Sequence, residues 1–140
     1  MNEVSYKKSE IALHQLKAAI KLFHEKDYIS ALTLAGATQE IVSKLCRAKG
    51  LVWSHRLPAE TQEVLLKKSS KKIEKYLADT LNKTKNELKH HSSSEDEIIK
   101  ADFYFEAEMF ILSAVDNYII LFGKLPNDKI IVDFYNEYNV

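Results

Sequence analysis

Apolar side chains recur along this chain at three- and four-residue steps, the period of an α-helix. Leu13, Leu16, Ile20 and Phe23 form one stripe and predict a first helix over about residues 5–25. Tyr28, Leu32, Ala35, Val42 and Leu45 form a second, widened by Ala31, Leu34, Ala37 and Ile41, over about 28–48. A stripe that wide predicts a central helix with neighbours on several sides, and Ala35-Gly36-Ala37 offers a place for close approach. A third pattern starts at Pro58 and runs through Leu65, Leu66, Ile73, Tyr76, Leu77 and Leu81 to Leu88, with a polar bend or break at residues 67–72. The fourth, over about 95–123, is apolar nearly all round in its second half. It should therefore be buried against several helices or a second subunit. Ile130, Ile131, Phe134 and Tyr138 anchor a short last helix or tail.

Local signals punctuate these stretches. Asp27 is placed to cap the second helix and Gly50 to terminate it. Cys46, among apolar residues, reads as a small core side chain, and Trp53 as a cover for the bundle end. Ser94 with Glu97 makes a capping-box pattern for the fourth helix, which Gly123 and Pro126 end. With 3 Gly and 2 Pro in 140 residues, turn residues are too few for a many-stranded fold. The expectation is an all-α, up-and-down bundle of four to five helices. It forms a single domain over 1–140 with its core at about 5–123 and a short helix or tail at 124–140.

Charge refines the picture. The 20 basic and 20 acidic residues cancel overall but are unevenly spread. Residues 1–58 carry nine basic and five acidic side chains, 59–94 eight and five, and 95–140 three and ten. A basic body with an acidic last third suits an anion on one face or a second copy through opposite charges. One cysteine excludes an internal disulfide and a thiolate zinc site. The polar start and the lack of any run near ~18 apolar residues lead us to expect a soluble, cytoplasmic protein without a membrane span.

Chemistry concentrates in residues 82–91, Asn-Lys-Thr-Lys-Asn-Glu-Leu-Lys-His-His. On a helix Asn86 and His90 share a face, as do Lys85 and Lys89. A cationic helix end beside a loop is either a site or a complement to the helix dipole. Adjacent His90 and His91 point apart and make a poor chelate, and the chain has no metal-ligand spacing, so no metal or cofactor is expected. Glu40 lies in an apolar surround and needs a partner, either a cation from elsewhere or Lys44 one turn on. His55 and Arg56 in the connector are weaker candidates for phosphate contact.

The order of these features resembles the HEPN superfamily. The likeness rests on residues 27–40, Asp-Tyr-Ile-Ser-Ala-Leu-Thr-Leu-Ala-Gly-Ala-Thr-Gln-Glu, then Lys44, the Asn-x-x-Lys-His segment and the long apolar helix. It covers about residues 10–126. It implies a module of bacterial defence or toxin–antitoxin type systems that binds RNA, nucleotide or a protein partner. It also implies a homodimer, with a cognate antitoxin or nucleotidyltransferase-type protein as possible partner. The alternative it implies is a metal-independent endoribonuclease. There Lys85, Asn86 and His90 take the catalytic positions, and Glu40, Lys89 and His91 bind ligand. His90 would then be general acid or base, with Lys85 and Lys89 stabilising phosphorane charge. Lys85 stands where active members carry Arg, and lysine lacks the planar fork that grips phosphate. A further alternative is a non-catalytic homodimeric scaffold.

Overall fold

Two amphipathic runs separated by a tight turn build the first half of the chain. α1 spans Lys8–His24 and α2 spans Tyr28–Ala48. The turn places Lys26 at φ 65, and the Asp27 carboxylate then accepts a hydrogen bond from the Ser30 amide at 3.1 Å. That bond satisfies one of the amides a helix start leaves open. The computed structural model describes residues 2–56, 83–89 and 98–139. Three more helices follow among them: α3 (Lys83–Lys89), α4 (Phe103–Phe122) and α5 (Lys129–Tyr138). No strand occurs among the described residues, and the fold class is all-α, a helical bundle.

The chain divides into two compact units, one formed by residues 1–56 with 103–140, the other by 57–102. In the first, ring contacts fix the helix directions. Phe23 at the end of α1 meets Tyr28 at the start of α2 and Tyr104 at the start of α4, with centroids 5.2 and 5.1 Å apart. Near the other ends, the Cys46 thiol donates to the Asn117 carbonyl at 3.4 Å. α2 and α4 therefore run parallel, with α1 antiparallel to both. α5 runs with α1, since Asp128 before its first turn pairs with Lys17 at 3.0 Å while Phe134 reaches Phe23 at 5.3 Å. Leu16, Ile20, Leu32, Ile111, Val115, Ile131 and Phe134 are all at most 1% exposed. Burial of each contributes about 1.5–3 kcal/mol. Burial pushes the Cys46 thiol above its usual range, against a smaller opposing pull from Lys49, so it remains a protonated core side chain.

Several boundaries follow the local signals and others shift. α2 has the expected limits. The chain turns through Gly50 at φ 70 and Gly123 at φ 79 after α2 and α4. α1 begins at Lys8, later than expected, after Lys7 in an extended conformation without a side-chain cap. α4 begins at Phe103 rather than near residue 95, because residues 98–102 have no regular structure. Asp102 stands directly before the helix and Glu106 lies in its first turn, an acidic pairing suited to a positive helix end. The C-terminal stretch is a helix, with Ile131 and Phe134 buried. Of the third expected helix only Lys83–Lys89 falls within the description, and it is helical; residues 58–82 and the 92–97 break lie outside the described residues.

Candidate functional site

The polar segment singled out by the sequence belongs to the second unit. Lys85 on α3 is 6% exposed and Thr84 is 8% exposed, whereas Asn86 is exposed. Neighbouring positions on a helix are turned by about 100°, so the ammonium and the amide leave the helix on different sides. Lys83 and Glu87 face each other at 3.9 Å one turn apart. Lys89 is the last residue of α3. His90 and His91 lie outside the described residues. Glu40 belongs to the first unit, where it is half-buried and accepts a hydrogen bond from the Lys44 ammonium at 3.0 Å. That is the pairing one turn along the helix that the spacing allows.

A second polar cluster, within the first unit, joins His55 and Arg56 of the connector to side chains of α4 that the sequence does not single out. α4 is the most apolar of the long helices among the described residues, yet Ser113 and Asn117 on it are completely buried and Asp116 is half-buried. These three stand at helical spacing and so form one polar stripe. Residues 54–56 of the connector lie against them. Asn117 accepts from the Ser54 amide at 2.7 Å through Oδ1. Its Nδ2 faces three acceptors: Gln39 Oε1 at 2.9 Å, the Ser54 carbonyl at 2.7 Å and the Ser113 carbonyl at 3.0 Å. Two N–H groups serve three acceptors, so one is shared. Gln39 Nε2 also donates to the Ser54 carbonyl at 3.2 Å.

One turn away the cluster becomes ionic. Arg56 donates from Nε to Asp116 Oδ2 at 2.6 Å and from Nη2 to Oδ1 at 2.9 Å, a two-pronged pairing. The Tyr135 hydroxyl of α5 donates to the same Oδ1 at 2.9 Å. The Arg56 amide donates to Ser113 Oγ at 2.8 Å. The hydrogen bond to Asp116 is the main reason Arg56 holds its proton even more firmly than usual, outweighing burial. Burial, and then the hydrogen bond to Asp116, raise the Tyr135 hydroxyl. His55 Nδ1 lies 3.5 Å from Ser113 Oγ and 3.2 Å from the Arg56 carbonyl, with its ring edge-on to Phe110 at 5.1 Å.

The chemistry this cluster supports is fastening. Ser113 has no exposed surface, so its hydroxyl does not meet a substrate despite the nearby imidazole. Arg56 spends its fork on Asp116, which removes it as a phosphate ligand in this arrangement. The cluster ties the connector, α2 and α5 to α4. No group of three or more His, Cys, Asp or Glu side chains that could hold a metal ion occurs among the described residues. No helix among the described residues is long and apolar enough to cross a membrane.

Comparison with protein-family models, with curated proteins and with solved structures found no match to this chain.

Proposed function

We propose that this chain is a HEPN-like helical module of a bacterial defence or toxin–antitoxin type system, binding RNA, nucleotide or a protein partner through the polar segment around α3. The observation that carries this reading is the split between Lys85 and Asn86. Asn86 is exposed to solvent, while Lys85 as a residue is 6% exposed. Recognition needs an accessible hydrogen-bonding group. Phosphoryl transfer in addition gains from a cation at the reacting phosphate, and a buried lysine is less well placed to supply one than an exposed one. This favours the binding module over the endoribonuclease with Lys85, Asn86 and His90 as its catalytic set.

Thermal unfolding with mono- and dinucleotides tests the reading, because a ligand selective for the native state raises apparent stability. A ligand at 100 times its dissociation constant adds about 2.7 kcal/mol, a readily seen shift. Asn86→Ala should abolish that shift. RNA degradation by the wild type that disappears in His90→Ala would instead establish the nuclease. A protein partner recovered with the wild type and lost with Asn86→Ala would place recognition at the same segment with a different ligand.

A further inference from the structure

One end of the first unit gathers aromatic rings and carboxylates. Phe23 forms its floor, in contact with Tyr28, Tyr104 and Tyr138 at 5.2, 5.1 and 5.5 Å. Tyr28 and Tyr104 stand edge to face at 5.0 Å. Glu108 lies one helical turn beyond Tyr104, and Glu137 precedes Tyr138. Burial pushes the Glu108 carboxyl above its usual range. Burial and then the nearby charges of Glu137, Tyr104, Glu108 and Tyr28 raise the Tyr138 hydroxyl, which places each of them within electrostatic reach of Tyr138. The surface is open: Tyr104 is 42% exposed and Ile29, beside Tyr28, 53%. The α1–α2 turn adds Glu25 and Asp27 against Lys26.

We propose that this tyrosine–glutamate end docks a Lys- or Arg-rich segment of a partner protein. Ring faces attract cations and also take up the apolar stems of long basic side chains. Two carboxylates add charge complementarity, and a basic neighbour offsets the cost of burying Glu108 as an anion. The same carboxylates repel a phosphate backbone, which argues against nucleic acid on this face. Tyrosine is also among the residues enriched at protein interfaces. The proposal concerns residues apart from the α3 segment and does not rest on its role.

The test is fluorescence anisotropy of a labelled Lys/Arg-rich decapeptide titrated with the full chain at low and at physiological salt. The wild type should bind it, more weakly as salt rises, and should not bind a Glu-rich peptide of the same length. Tyr104→Ala, and separately the isosteric pair Glu108→Gln with Glu137→Gln, should each weaken binding roughly three- to tenfold. Glu10→Gln, an acid at the far end of α1, should leave it unchanged. Circular dichroism monitors folding of each variant. If Tyr104→Ala unfolds, the glutamine pair decides alone, since it retains side-chain shape. Absent binding, or equal binding by wild type and the glutamine pair, overturns the proposal. So does a concentration-dependent dimer that the glutamine pair dissolves and the basic peptide does not displace, because the face then belongs to a second copy.

Discussion

Asn117 shows how much one side chain can fasten. Completely buried, it bonds a connector amide and carbonyl, a glutamine on α2 and its own helix. Truncation to Ala strands several of these groups away from water, and each stranded group costs about 1–3 kcal/mol. Asn117→Ala should therefore destabilise the protein by about 3 kcal/mol, read as a lower urea midpoint with little change in slope. Asp116→Asn keeps the shape but removes the charge under Arg56. Because both partners keep some solvent contact, at 24% and 17% side-chain exposure, the expected loss is about 1–2 kcal/mol. Tyr135→Phe removes one neutral donor to the same carboxylate and should cost about 1 kcal/mol in the same urea titration.

The helices carry predictions of their own. Asp128 caps α5, accepting from the amides of Ile130 and Ile131 at 3.0 and 3.3 Å and pairing with Lys17. Burial alone would raise its carboxyl, but the Lys17 and backbone hydrogen bonds outweigh burial and hold it below its ordinary value. A carboxyl depressed in the folded state adds stability that is present above its unfolded value, about 3.9, and lost as pH falls through the folded value. Asp128→Asn should cost about 1 kcal/mol at pH 7 and flatten the decline of melting temperature below about pH 4. A methyl group at Gly50 or Gly123 meets no atom within 4 Å, so Ala there pays only for the left-handed backbone. Either substitution should lower stability by about 1 kcal/mol in thermal melts. What the sequence discloses follows from the range of each interaction. The limits of α2, its Asp27 cap and the turns at Gly50 and Gly123 depend on neighbours a few residues away. The start of α4 is not legible in the sequence because Ser94 with Glu97 offers a start signal eight residues before Asp102, the residue that directly precedes the helix. The polar fastening is not legible in the sequence because Arg56 and Asp116 are 60 residues apart in the chain. One signal for it was present: Ser113, Asp116 and Asn117 share a stripe on an otherwise apolar helix, and buried polar groups require partners.

At the scale of the molecule, the first unit is assembled from two segments of chain that the second unit separates. The parallel pairing of α2 with α4 joins residues far apart, such as Gln39 with Asn117 over 78 positions. Helical bundles with mostly local contacts fold quickly, whereas closing long loops slows the search. During synthesis, at about 5–20 residues per second, the broad apolar stripe of α2 emerges seconds before the helix that will cover it. The nascent chain thus passes through an interval in which α1 and α2 are made, Ser54 and Arg56 have nothing to hold them, and a chaperone has its best opportunity to bind.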